Sequence, residues 1–138
     1  MSTEPPSGAD VRANTVPELT ERLRTFVAER DWQQFHTAKN LAMALAGEVG
    51  ELVAELQWLT PDEAARVMDD PTAGARVRAE IGDVMTYLTR LADVLGIDLV
   101  AAAHDKLDDS ALRYTVERSR GSVAKAPPTH PSGDPTAG

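Results

Sequence analysis

Gly47-Glu48-Val49-Gly50-Glu51-Leu52-Val53-Ala54-Glu55-Leu56-Gln57-Trp58 decides how the rest of the chain is read. At 100° per residue, this segment and the residues before it form a helix with two adjacent stripes. Leu41, Leu45, Val49, Leu52 and Leu56 make an apolar face, and Glu48, Glu51 and Glu55 run along its edge. A second stretch, Glu80-Ile81-Gly82-Asp83-Val84, repeats the arrangement. There Val77, Ile81, Val84, Leu88, Leu91 and Leu95 form the apolar stripe, with Glu80 and Asp83 beside it and Tyr87 between them in angle. Packing of the two stripes brings the carboxylate edges together at the rim of the core. Four carboxylates so placed repel one another and are costly to desolvate unless cations join them. Mg²⁺ answers that need, because it is hard, seeks oxygen and is usually shared between carboxylates and substrate phosphates. An E-x-x-E at 48–51 answered by an E-x-x-D at 80–83 therefore points to metal-dependent phosphate chemistry. The same spacing also fits two amphipathic helices with solvated acidic edges, since Glu is common on helix surfaces.

Composition narrows the remaining classes. The 138 residues suffice for one domain with a real core. Lys and Arg number 14 against 22 Asp and Glu, a formal net charge of −8. With no long basic run, the chain is not expected to bind polymeric nucleic acid. The absence of cysteine excludes disulfides, thiol catalysis and Cys-based zinc sites. His36, His104 and His130 are scattered and form no H-x-x-x-H pair, which argues against a histidine metal site. The first residues lack a basic region followed by an apolar run, and no apolar stretch approaches the ~20 residues that span a bilayer. The expectation is a soluble cytoplasmic protein with no membrane partner.

Taken in order, residues 1–14 are rich in Ser, Pro, Gly and Asp and read as a tail. Thr15-Val16-Pro17-Glu18 reads as a capping box for a first helix, striped by Leu19, Leu23, Phe26 and Val27 and fading near Asp31. The segment 30–37 is a loop, or a loop with a turn of helix, and holds Trp32 and Phe35 in a chain with only two of each. These rings either plug the end of a bundle or wall a pocket suited to stacking a nucleobase. The second helix covers about 38–59, with Trp58 projecting near the side of Glu51. Thr60-Pro61-Asp62-Glu63 starts a short helix to about 68. A third helix spans about 72–95, with Gly96 placed as a left-handed cap. Gly82, like Gly47 and Gly50, is small enough to admit a neighbouring helix. Asp98 starts a fourth helix to about 111, and the chain from 119 onward is a second tail. The fold class is all-α: a four-helix bundle with a short connecting helix over residues 15–118.

The combination resembles the MazG-like all-α nucleotide pyrophosphohydrolases, and among them the dCTP pyrophosphatase branch. The resemblance covers about residues 18–125. It rests on Glu29-Arg30-Asp31-Trp32-x-x-Phe35-His36, Lys39-Asn40-Leu41, the stretch from Gly47 to Leu52, Trp58, Glu80-x-x-Asp83-Val84-x-x-Tyr87-Leu88, and Lys106 with Arg113-Tyr114 followed by Ser119-Arg120-Gly121. It implies that Glu48, Glu51, Glu80 and Asp83 bind Mg²⁺ and that a nucleoside triphosphate is split to monophosphate and pyrophosphate. Such a reaction needs phosphate charge neutralised and an in-line water deprotonated, and Glu48 is named as that base. The family's base pocket is similar to what Trp32, His36, Trp58 and Tyr87 could build. Lys39, Lys106 and Arg113 are the implied cations for the phosphate tail, with Asn40 and Tyr114 completing polar contacts. Two departures stand out. Relatives carry Asn where this chain has Ser110, and Pro where it has Thr115. A hydroxyl at 110 cannot make an amide's bidentate contacts, so base or sugar preference is affected more than the reaction. The resemblance also implies a homotetramer, or a dimer, in which neighbouring subunits help build each site.

The substrate expected on these grounds is dCTP or a modified dCTP. The scaffold also accommodates dUTP or another nucleotide, and the aromatic loop argues against phosphoribosyl-ATP. A non-catalytic helical interaction module would leave the acidic stripes as solvated faces, but all four carboxylates are intact. A di-iron bundle wants E-x-x-H pairs, and here the residue three after each first Glu is acidic.

Overall fold

Thr15 starts the first helix as the sequence predicts: its Oγ1 accepts from the Glu18 amide at 3.3 Å, with Pro17 in the first turn. The return half of the expected capping box is missing for one oxygen, because Glu18 Oε2 is buried without a hydrogen-bond partner. Such a cap contributes about 1 kcal/mol. The computed structural model describes residues 14–127. Of the tails expected at 1–14 and from 119 onward, residues 1–13 and 128–138 lie outside the described residues, as does His130.

Helix α1, Val16–Glu29, ends where Asp31 takes a left-handed conformation at φ 52°. The Asp31 amide donates to Ala28 O at 3.1 Å and the Trp32 amide to Val27 O at 3.0 Å. This is the crossed pair of bonds usually closed by glycine, and Asp is one of the few other residues that tolerates the site. It turns the chain sharply and sets Trp32 beside the helix it has just left. A 3₁₀ turn, Gln33–Phe35, completes the loop. Thr37 caps α2, Ala38–Leu56, accepting from the Asn40 amide, while Asn40 Nδ2 donates to Phe35 O at 3.0 Å and braces the loop. Thr60 and Glu63 form a complete capping box for α3, Pro61–Ala65, which passes into a 3₁₀ turn at Val67–Asp69. Asp70 caps α4, Pro71–Val94, accepting from the Thr72 and Ala73 amides. Gly96, at φ 68°, closes α4 through Gly96 N–H to Asp93 O and Ile97 N–H to Ala92 O.

Compactness divides the chain into two units, Met1–Asp98 and Leu99–Gly138. In the first, α4 packs most extensively against α2 and also against α1. Val27, Leu41, Val77 and Ala92 form its buried apolar centre, with Thr89 among them. Full burial of a side chain such as Leu41 contributes about 2 kcal/mol. The apolar stripes are wider than this centre: Phe26, Val49, Ile81 and Leu95 belong to them and remain substantially exposed. Three slender helices have too little facing surface to cover four-residue-wide stripes. The glycines also differ from expectation. A Cβ on Gly47, Gly50 or Gly82 would meet nothing within 4 Å among the described residues, so the first unit brings no other helix close against them. Among the described glycines, Gly74 is the one whose Cβ would crowd a neighbour, the Met68 backbone at 3.2 Å. The second unit holds α5, Leu99–Arg113, and α6, Val116–Ser119. All regular structure among the described residues is helical. No helix among them is long and apolar enough to cross a membrane.

Candidate functional site

The α2–α4 packing carries the two acidic edges to one place. Carboxylate oxygens of Glu48, Glu80 and Asp83 all lie within 4.8 Å of one another. Glu48 and Glu80 are half-buried, and Oε2 of each is shut off from solvent with no hydrogen-bond partner. Acceptors placed in this way are costly unless a proton or a cation reaches them. The strain registers as altered acidity. Glu48 is pushed up to about 7, chiefly by a hydrogen bond with the Glu51 carboxyl that requires a shared proton, then by desolvation and by the charges of Glu51 and Asp83. Glu80 is raised as well, first by desolvation and then by the charge of Glu51. Glu51 thus stands outside the group of three but presses on it. Glu55, the next acid along the edge, is removed from the cluster by its ion pair with Arg76 at 3.0 Å, which ties α2 to α4. An all-oxygen donor set with two orphaned oxygens fits a hard divalent cation.

Beside the carboxylates lies a cavity of about 260 Å³. Trp32, Phe26, His36, Tyr87, Arg90 and Asp83 are among its walls. Asp83 therefore belongs both to the carboxylate group and to the aromatic cavity. Trp32 meets Phe26 edge-on at 5.8 Å and 73°, and its ring lies 6.4 Å from that of His36. The guanidinium of Arg30 covers the Phe26 ring at 3.6 Å. Trp32 remains 43% exposed, so it lines the opening and does not plug the bundle. His36 Nδ1 accepts from Arg90 Nε at 3.2 Å. Burial, then the Arg90 charge, holds His36 below its usual range.

Other residues named from the sequence fall elsewhere. Trp58 follows α2 and is 86% exposed, away from the cavity walls. Lys39 is exposed near the start of α2, and Asn40 serves the loop. In the second unit, Lys106 and Arg113 both reach Asp109, at 3.5 and 3.7 Å. The Arg113 guanidinium lies 5.4 Å from the Tyr114 ring, and the Tyr114 amide donates to Ser110 O at 2.7 Å. These five residues form one polar grouping at the end of α5.

Arg90 went unnamed at the level of sequence, and Phe26 was read only as part of the apolar stripe of the first helix. Arg90 was accessible from the sequence, because Asp83, Tyr87 and Arg90 follow one another at i, i+4 and i+7 on one helix face.

Comparison with known proteins completes the picture. No protein-family model matches the chain. Over 111 residues, 80% of this chain, it is 40% identical to dCTP pyrophosphatase 1 of Rattus norvegicus and 39% to that of Homo sapiens. The match spans 65% of each of those proteins, a little under two thirds of their length. A pyrophosphatase from Archaeoglobus fulgidus has a similar structure, with TM-score 0.67 and 31% identity, covering 83% of this chain and 99% of that one. The chain belongs to the MazG-like all-α nucleotide pyrophosphohydrolase family. Within that family it is similar to the two mammalian dCTP pyrophosphatases. For a member of this family, the two acidic edges meeting beside an aromatic cavity are the feature that needs a chemical account.

Proposed function

We propose that the protein hydrolyses a deoxynucleoside triphosphate, dCTP or a modified dCTP, to the monophosphate and pyrophosphate, removing it from the nucleotide pool. One observation carries the reading: Asp83 is shared by the carboxylate group and the aromatic cavity, so a base and its phosphates would be served by adjoining surfaces. The names of the mammalian relatives support cytosine as the base.

Glu48, Glu80 and Asp83, with Glu51 beside them, would hold Mg²⁺, which when bound neutralises charge on the triphosphate. Glu48 serves as general base for the attacking water. Trp32 and Tyr87 supply faces for the base, and His36 supplies a polar edge. Lys39, Lys106 and Arg113 are proposed to meet the phosphate tail, with Ser110 and Tyr114 as neutral partners. Asn40 acts indirectly, holding the loop that carries Trp32. The exposed apolar residues Met43, Val49, Val53, Trp58 and Ile81 support a homo-oligomer, tetramer or dimer, since a lone chain leaves them in water. Trp58 would then join a pocket of a neighbouring subunit.

Incubation with a panel of nucleoside triphosphates and Mg²⁺ is expected to give monophosphate and pyrophosphate, with no turnover in EDTA. Release of diphosphate and orthophosphate would place the cleavage elsewhere and overturn the reading.

The acidity of the cluster gives a second expectation. Glu48 and Glu80 keep their protons in the folded protein to higher pH than in the unfolded chain, where the usual value is 4.5. Metal-free stability therefore falls as pH rises from about 4.5 through the folded value, about 7 for Glu48. Bound Mg²⁺ relieves the repulsion only once the protons have left. The rise in thermal midpoint on adding Mg²⁺ should be large at pH 8 and shrink toward pH 5.5. A rise that is the same at both pH values would remove the cluster from the binding site.

A further inference from the structure

A chain of four charged or polar side chains runs from the surface of α1 to the wall of the cavity. Arg24 grips Asp93 with two bonds, Nε to Oδ2 at 2.9 Å and a terminal nitrogen to Oδ1 at 2.6 Å. Arg90 donates to the same carboxylate, Nη1 to Oδ2 at 3.1 Å, and through Nε to His36 Nδ1 at 3.2 Å. The side chains of Arg90 and Asp93 are only 11% and 12% exposed, so these partners are fixed by packing as well as charge. Asp93 is held well below the usual carboxylate range, first by its bond from Arg24, and so stays ionised.

The consequence for His36 follows from donor and acceptor inventory alone. A guanidinium has only N–H donors and does not lose its proton. The nitrogen it reaches must therefore present a lone pair, which leaves the ring proton on Nε2. An imidazolium, with protons on both nitrogens, would clash with Arg90. Among the described residues Nδ1 is the only His36 nitrogen with a hydrogen-bond partner, so the Nε2 donor remains unspent beside the cavity.

We propose that Arg90 is a positioning residue that fixes His36 as the neutral Nε2–H tautomer, and that this donor selects the acceptor edge of cytosine over uracil. Cytosine offers acceptors at N3 and O2. Uracil carries a proton on N3, so a fixed donor there meets a donor and one group loses its partner. The free tautomers of histidine would blur this choice, because the Nδ1–H form turns an acceptor to the ligand. The Arg24–Asp93 pair serves the same end by holding Arg90 in place across α1 and α4. The proposal rests on the reading of the cavity as a base site.

The test compares wild type with Arg90→Met, which keeps length and loses the donor, and Arg90→Lys, which keeps a donor and a charge. Nitrogen NMR of the histidine rings, without nucleotide, reports the tautomer. Steady-state kinetics on dCTP and dUTP report the preference. Wild type and Arg90→Lys should show His36 as Nε2–H. Arg90→Met should show a tautomer mixture and lose about 10-fold of the dCTP preference in kcat/KM, through the KM for dCTP and with kcat little changed. An Nδ1–H or doubly protonated His36 in wild type overturns the proposal without any variant. Unchanged preference in folded Arg90→Met, with hydrolysis intact, overturns it alone. Absence of hydrolysis on every nucleotide overturns the function and the selectivity with it, while the ring signal still decides the contact between Arg90 and His36.

Discussion

Glu48→Gln is expected to lower kcat by about 10²–10⁴-fold, the range general acid–base catalysis supplies, while making the metal-free protein more stable at pH 8. The two effects have opposite signs for one reason. Glu48 sits among Glu51, Glu80 and Asp83 with one oxygen buried and unpartnered, and its acidity is driven up to about 7. An amide in the same place carries no charge, can donate to a neighbouring carboxylate and has nearly the same helix propensity. The folded chain is relieved, and the base and one cation ligand are lost together. Single-turnover rates at saturating Mg²⁺ separate chemistry from binding, and thermal midpoints in EDTA report the relief. Near-normal turnover would strip Glu48 of its role as base. A lower midpoint at pH 8 would show that the carboxylate is a structural partner and not a site of stored repulsion. A drop in turnover that excess Mg²⁺ fully restores would leave Glu48 as a ligand only.

The carboxylates were legible because two periods coincided. A helical repeat placed Glu48 and Glu51, then Glu80 and Asp83, along the margins of apolar stripes, and stripes that pack bring their margins together. Two helix starts were equally plain, Thr15 and Thr60, which each accept from an amide of the turn they open; Thr37 and Asp70 do the same without having been named. What periodicity could not give was the partition inside the acidic edge. Glu48 and Glu55 look alike in sequence, yet Arg76 captures Glu55 while Glu48 joins the cluster. That depends on which residue of α4 lies opposite, a matter of axial offset between helices. The glycines were misread for a related reason. Small residues permit close approach but do not cause it, and Gly47, Gly50 and Gly82 have no neighbour within 4 Å of an added Cβ among the described residues. Arg90 was passed over because a lone arginine beside a leucine stripe looks like a snorkelling surface residue. Only Asp93, Arg24 and His36 together show that it is pinned, and two of those come from other elements.

Trp32→Ala should raise KM by roughly 5- to 150-fold, from the about 1–3 kcal/mol that one aromatic face contributes to stacking a base. The structure favours this reading because Trp32 is 43% exposed and lines the cavity that contains Asp83. A core plug would be buried. Its edge-on aromatic partner within the bundle is Phe26, at 5.8 Å. Loss of that pair should cost about 0.5–1.5 kcal/mol of stability, and so a modest fall in thermal midpoint. The ends of the 3₁₀ turn should persist, since the bonds that shape the loop are made by backbone and by Asn40. Trp58→Ala is the companion variant. Trp58 is 86% exposed, so its removal should leave the subunit's own packing untouched. If a neighbouring subunit uses it, KM rises by a similar factor and the assembly survives. The decision comes from two measurements on each variant, thermal midpoint without nucleotide and nucleotide affinity. A large fall in midpoint with unchanged affinity would make Trp32 a packing residue and remove it from the site. Unchanged affinity and an unchanged midpoint for Trp58→Ala would do the same for Trp58, leaving the stacking of the base to Trp32 and Tyr87 of the cavity wall.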